Sequence, residues 1–240
     1  MNNYTEEAIE ELKLWQKKIL KKPSFISNMT KGMQNKANSL IPEKANKIIT
    51  EGIKNTVKVV LLGSEFTTKL PLMNVSLEGR ERLVKEKLNS YRKAAAFSGA
   101  GTGAGGLLLG LADFPILLSI KIKFLFEVAS LYGFNAANYK ERLYILYIFQ
   151  LAFSSPERRL RVYLELADWE NYVKHLPEDV NSFDWKTFQQ EYRDYIDLAK
   201  MLQLVPGIGA VVGAYANYQL LDKLGETAIN AYRMRIFKIK

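Results

Sequence analysis

Cysteine is absent from this chain of 240 residues, and histidine occurs once, as His175. Without cysteine there can be no disulfide framework, no thiolate zinc site and no cysteine nucleophile. A single histidine likewise excludes an HExxH metal site, and neither GxSxG nor GxxxxGK[ST] occurs. His175 lies close to Pro177 at a predicted helix end, where it is given no functional role. We therefore expect no bound metal and no cofactor.

Alternating runs of β-branched residues bounded by hairpin turns are also nearly absent. Apolar residues instead recur at three- and four-residue spacing along most of the chain, which is typical of amphipathic helices. Apolar side chains make up 48% of the residues, enough to bury a substantial core. The sequence predicts an all-α fold, a multi-helix bundle.

Basic residues are missing from the first eleven positions, which contain four glutamates. This is the reverse of a secretory signal peptide, whose first segment is positively charged. Together with the absence of cysteine, it predicts a protein that stays in a reducing compartment. We expect a cytoplasmic protein, associated with the cytoplasmic face of a membrane for the reasons that follow.

The net charge of +9 comes mainly from the first part of the chain. Residues 1–98 contain 18 lysines and arginines against 10 acidic residues, whereas residues 99–240 contain 16 against 15. A basic surface can attract anionic lipid or nucleic acid. No recognised nucleic-acid motif accompanies the charge, and the aromatic residues lie at helix-packing positions, so we expect no nucleic-acid partner.

A basic amphipathic helix is predicted after Pro42, with apolar residues on one side and lysines between them. The lysines are Lys44, Lys47, Lys54 and Lys58. Two interpretations are open: a bundle helix with a solvated lysine face, or a helix whose lysines contact lipid phosphates.

Residues 99–120 form an apolar, glycine-rich run in which Asp113 is the only ionisable residue. The length would allow a membrane span. Six glycines, the aspartate and Pro115 argue against one, because they dilute the hydropathy and place a costly charge at bilayer depth. Burial within the protein or shallow insertion fits better. The GxGxxG spacing inside the run lacks the preceding strand that a dinucleotide site needs.

A second run rich in small residues covers residues 204–218. In both runs small residues recur four positions apart, which places them on one helix face and lets two backbones approach closely. The sequence predicts a closely packed pair of glycine-rich apolar helices. Its packing residues are Gly103, Gly106, Gly110, Gly209 and Gly213, and its buried polar residues are Asp113, Asn217 and Glu226.

Carboxylate chemistry is the enzymatic alternative. Asp113 and Glu127 could lie on one side of a long helix, where desolvation would raise their pKa values toward use as general acid or base. The structural alternative is a buried aspartate that caps a helix or pairs with a lysine or arginine. The residues favour the structural interpretation, and whether the protein is an enzyme stays open, with the balance against it.

Residues 99–135 and 204–237 resemble the two signature blocks of the EcsC family of bacterial proteins. The resemblance rests on the run that ends in Ala112-Asp113-Phe114-Pro115, on Tyr132-Gly133-Phe134, on Pro206 to Ala214 with Asn217, on Gly225-Glu226 and on Tyr232-Arg233. It implies a division into basic N-terminal helices, residues 1–98, and an EcsC-like helical core, residues 99–240, which we expect to form one continuous domain. The founding member is encoded beside the subunits of an ABC transporter.

The leading hypothesis is therefore a non-enzymatic, peripheral or shallowly inserted membrane protein. Its expected partners are an anionic membrane surface and, as the resemblance implies, an ABC transporter subunit linked to transport or secretion. The alternatives are a hydrolase that acts on an apolar or lipid-like substrate through Asp113 and Glu127, and a soluble adaptor that binds a transporter subunit.

Overall fold

The structure, a computed structural model, describes residues 3–21, 43–62, 70–102, 114–154, 156–176 and 210–239. Eight α-helices lie in these ranges: α1 (Asn3–Leu20), α2 (Glu43–Leu62), α3 (Leu77–Thr102), α4 (Phe114–Leu131), α5 (Tyr139–Phe153), α6 (Pro156–Ala167), α7 (Trp169–Tyr172) and α8 (Ala210–Phe237). A 3-10 helix, Val173–His175, follows α7. No β-strand occurs among the described residues, and the predicted all-α fold is confirmed for them.

Helix α5 lies at the centre of the bundle. Every residue from Leu143 to Phe153 is buried, as expected for a helix that is enclosed on all sides. It contacts α2, α4, α6 and α8. Asn138 begins the helix as its N-cap, where the side-chain Oδ1 accepts a hydrogen bond from the backbone N–H of Lys140 at 2.9 Å.

The two longest helices, α3 and α8, form the most extensive helix contact. They run antiparallel, since Leu88 meets Gly225 while Arg92, further along α3, meets Asp222, earlier in α8. A Cβ atom on Gly225 would lie 2.7 Å from Cδ2 of Leu88. The glycine thus allows the two backbones to approach more closely than any other residue would.

The N-terminal helices share one hydrophobic core with the rest of the chain. Helix α1 packs on α3, α6 and α8, and its buried Gln16 donates a hydrogen bond from Nε2 to the Tyr163 hydroxyl at 2.8 Å. Helix α2 packs on α4 and α5 through the buried side chains of Ile53, Val57 and Val60. The opposite face of α2 is left to solvent.

Candidate functional site

A buried ion pair joins α3 to α8, and residues of α1 and the residue that follows α4 also contact it. The side chains of Glu81 and Arg233 are 0% and 4% exposed. Arg233 donates two parallel hydrogen bonds, from Nε to Oε1 of Glu81 at 2.7 Å and from Nη2 to Oε2 at 2.6 Å. This bidentate geometry is the strongest form of the arginine–carboxylate contact.

Two tyrosines and a second glutamate complete this cluster. The Tyr132 hydroxyl donates to Oε1 of Glu81 at 3.0 Å, and the Tyr4 hydroxyl donates to Oε2 at 2.6 Å. Arg233 also donates from Nη1 to Glu11 at 2.8 Å. Each oxygen of Glu81 therefore accepts two hydrogen bonds, which leaves the carboxylate saturated rather than placed to remove a proton from a substrate.

The pKa shifts in the cluster follow from this arrangement. Burial alone would raise the pKa of Glu81, but the Arg233 guanidinium and the two tyrosine hydroxyls lower it below the ordinary value. Burial, and then the Glu81 charge, raise the pKa of Tyr132. Both effects keep the carboxylate charged and the phenol neutral.

A second buried carboxylate ties α5 to the end of α8. Glu141 accepts hydrogen bonds from the Tyr232 hydroxyl at 2.8 Å and from Nη1 of Arg235 at 2.6 Å. The Arg235 guanidinium lies 3.9 Å from the ring centroid of Phe134 and 4.4 Å from that of Tyr144. Part of the family resemblance therefore lies in residues that take part in these two buried clusters. They are Tyr132, Phe134, Tyr232 and Arg233.

Lys121 and Asn217 form a separate polar contact between α4 and α8. Both side chains are fully buried, and Nζ of Lys121 donates to Oδ1 of Asn217 at 3.2 Å. Burial lowers the pKa of Lys121 to about 7, because the ammonium form is poorly stabilised away from water. The asparagine was a candidate from the sequence, whereas its lysine partner was not.

Glu127 is held in an ordinary ion pair. Its Oε2 lies 3.1 Å from Nζ of Lys87, and its Oε1 accepts a hydrogen bond from the Tyr91 hydroxyl at 3.1 Å. The second catalytic candidate, Asp113, lies outside the described residues. The described residues give the hydrolase alternative no support.

The remaining candidate residues are distributed as follows. Gly103, Gly106, Gly110 and Gly209 lie outside the described residues. Gly213 lies in the second turn of α8, and Lys44 lies in the first turn of α2. Glu226 is exposed on α8, so the prediction that it is buried is wrong.

Lys47, Lys54 and Lys58 are all exposed on α2. They are separated by seven and then four residues, which places them along one stripe of the helix. Glu51 and Asn55 are exposed between them. We call these three lysines the α2 lysine stripe.

Neither a metal site nor a membrane span is found in the described part of the chain. No group of three or more histidine, aspartate and glutamate side chains lies close enough there to hold a metal ion. No helix in the same ranges is both long and apolar enough to cross a bilayer.

Sequence reasoning missed Lys121, Glu81, Glu141 and Arg235. Lys121 is fully buried, as are Leu117, Phe124 and Leu125 around it. The sequence contains one signal of this burial: Lys121 lies at three- and four-residue spacing from these apolar residues and therefore on their face of the helix. Glu81 and Arg233 are 152 residues apart, and no local pattern connects them.

Comparisons with known proteins agree with the resemblance found in the sequence. The sequence model of the EcsC protein family matches residues 6–237. Protein EcsC of Bacillus subtilis (strain 168) is 45% identical over 234 residues, covering 97% of this chain and 94% of that protein. Uncharacterized protein YdbA of the same organism is 32% identical over 168 residues, covering 69% of this chain and 58% of its own. No solved structure matches. With its match over nearly the whole chain, the protein belongs to the EcsC protein family.

Proposed function

We propose that this protein is a non-enzymatic, peripheral membrane protein that docks on anionic lipid at the cytoplasmic face through the α2 lysine stripe. The observation that supports this most directly is the exposure of Lys47, Lys54 and Lys58 on one side of a helix whose other side is buried. Each basic side chain near an anionic bilayer contributes about 1 kcal/mol. Three of them give a weak, reversible and salt-sensitive contact.

We also propose that the glycine-rich ends of α3 and α8 pack closely. The antiparallel register, in which Leu88 meets Gly225 and Arg92 meets Asp222, supports this. Continued to the last turn of α3 and the first turns of α8, the same register brings Gly101 opposite Gly213. Small residues on both sides would allow close backbone contact at this end of the pair.

Flotation with liposomes tests the lipid proposal. The wild-type protein is expected to float with vesicles that contain phosphatidylglycerol and to stay at the bottom with pure phosphatidylcholine. The triple variant K47Q/K54Q/K58Q should lose flotation at low salt, because its stripe no longer attracts phosphates. High salt should produce the same loss in the wild type.

Helix α1 supplies a matched control. Lys13, Lys17 and Lys21 are exposed at four-residue spacing, and the variant K13Q/K17Q/K21Q removes the same charge from a different helix. This control should float like the wild type. Equal loss in both triple variants would show that net charge and not the stripe attracts the membrane, and flotation that survives high salt would indicate insertion instead.

The ABC transporter subunit implied by the resemblance is a compatible protein partner at the same membrane face. A protein that floats under no condition would favour the soluble adaptor over the lipid proposal. In that event neither the wild type nor the triple variant of α2 would float with any of the vesicles.

A further inference from the structure

A cleft of about 570 Å³ opens between α1, α3 and α8, and no described residue of α2 lines it. Its volume falls in the range of small-molecule sites. Helix α1 lines the cleft with Leu14, Trp15 and Lys18. Helix α3 lines it with Lys85 and Arg92. Helix α8 lines it with Asp222, Glu226 and Asn230.

Helix α8 supplies a buried amide oxygen and a carboxylate to the cleft. Asn230 is 6% exposed, and its Nδ2 donates to the backbone carbonyl of Glu226 at 2.9 Å. Its Oδ1 is buried with no hydrogen-bond partner among the described residues. The Glu226 carboxylate, one turn away, is exposed and has no ion pair within the same ranges. An unpaired buried acceptor is costly, and this pair of groups suits a primary ammonium, which combines positive charge with several N–H donors.

The other two helices supply positive charge. Lys85 of α3 and Lys18 of α1 are exposed and form no ion pair in the described part of the chain. Arg92, in contrast, already pairs with Asp222. Lysine ammonium groups are common phosphate ligands and act as point charges, which need no fixed planar geometry. Two available lysines on different helices therefore favour a phosphate group.

Apolar side chains occupy the remaining wall. Leu14 is 60% exposed where it lines the cleft, beside the buried Trp15 and the half-buried Ile229. These surfaces can cover the apolar part of a ligand whose head group reaches the charged residues.

We propose that this cleft binds a zwitterionic amphiphile whose head group joins a primary ammonium to a phosphate. The ammonium contacts Glu226 and Asn230, and the phosphate contacts Lys85 and Lys18. The proposal does not depend on the lipid docking of α2, because the two surfaces use different helices.

Isothermal titration calorimetry with the full chain tests this proposal with three soluble probes. Dihexanoyl phosphatidylethanolamine carries both charges and short apolar chains. Dihexanoyl phosphatidylcholine keeps the charges but has no N–H donor, and phosphoethanolamine keeps the head group alone. The ethanolamine lipid is expected to bind about ten-fold more tightly than the choline lipid, the effect of losing charge-assisted hydrogen bonds.

Two variants locate the site. Glu226→Gln and Lys85→Gln should each weaken binding of the ethanolamine lipid about ten-fold. The matched controls Glu86→Gln and Lys93→Gln change exposed residues of α3 that do not line the cleft, and they should bind like the wild type.

The same probes separate the two sources of this head group. Tighter binding of the ethanolamine lipid than of phosphoethanolamine supports the amphiphile. Equal binding would contradict it and would leave the free head group as the ligand of the cleft. Absence of binding by both would overturn the proposal. It would also be overturned by equal affinity for the choline lipid, or by site variants that behave like their controls.

Discussion

Lys121 is a lysine in an apolar core, and within the described residues its ammonium group donates to one polar side chain, that of Asn217. Such a group is tolerated because it can give up its proton, and burial lowers its pKa from 10.5 to about 7. In the unfolded chain the pKa returns to its ordinary value. Between pH 7 and about 9, the unfolded state therefore binds more protons than the folded state.

The first residue-scale prediction is that the free energy of unfolding increases with pH in this interval. The contribution of Lys121 can reach about 1.4 kcal/mol per pH unit. The range stops short of pH 10, where ionisation of tyrosines in the unfolded chain acts in the opposite direction. Urea unfolding of the wild type and of Lys121→Met at several pH values measures the difference.

The methionine variant should lose most of this pH dependence, because it removes the titrating group while keeping most of the volume. Lys123→Met is the control, since Lys123 is exposed two positions away on the same helix. It should retain the wild-type slope. Parallel slopes in the wild type and Lys121→Met would mean that Lys121 remains charged in the folded protein.

At the scale of the helix, the contact between α3 and α8 depends on a large residue, Leu88, that packs against the glycine at position 225. Leu88 fills the space that a side chain at position 225 would need. Gly225 lies inside α8, where glycine disfavours the helix by about 1 kcal/mol relative to alanine. The close packing of α3 on α8 offsets this loss of helix stability.

We predict that Gly225→Leu lowers the free energy of unfolding by about 1–3 kcal/mol, since overpacking displaces α3 from α8. The double variant Leu88→Ala/Gly225→Leu, which moves the leucine across the contact, should recover part of the loss. Urea unfolding of the two single variants and the double variant measures the coupling. A double variant whose loss equals the sum of the single losses would show that the two positions do not pack on each other.

At the scale of the whole molecule, the Glu81–Arg233 cluster joins helices that are far apart in sequence. Arg233 of α8 contacts Glu81 of α3 and Glu11 of α1, which lies 222 residues earlier. Tyr132, which follows α4, reaches the same carboxylate. The buried pair therefore joins α3 to α8, and the more exposed Glu11 extends the cluster to the first helix.

We predict that Glu81→Gln destabilises the protein by about 3–5 kcal/mol, because it leaves a buried guanidinium without its main counter-charge. Glu11→Gln should lower stability by about 1 kcal/mol or less, since the Glu11 side chain is 66% exposed. Replacing both members, as in Glu81→Leu/Arg233→Met, should recover part of the loss.

Urea unfolding monitored by tryptophan fluorescence and by circular dichroism measures these changes. The two signals should shift together in Glu81→Gln, because the pair belongs to one shared core. Equal losses in Glu81→Gln and Glu11→Gln would contradict the assignment of the buried carboxylate as the dominant partner.

The sequence by itself determined the properties that depend on local spacing. Three- and four-residue apolar repeats predicted the all-α class, which the helices of the described residues confirm. Alternation of lysines with apolar residues indicated the basic face of α2. Ordered motifs along the chain identified the family, because they are read directly in sequence order.

Only the tertiary structure decided which polar side chains meet. Lys121 is not among the buried polar residues that the sequence predicts, since helical spacing cannot show that neighbouring helices enclose a position. Glu226 is predicted to be a buried polar residue, yet its side chain is exposed, because α8 borders an open cleft at this position. The pairing of Glu81 with Arg233 spans 152 residues. Such contacts are set by the way the helices pack, and a repeat of three or four residues contains no information about them.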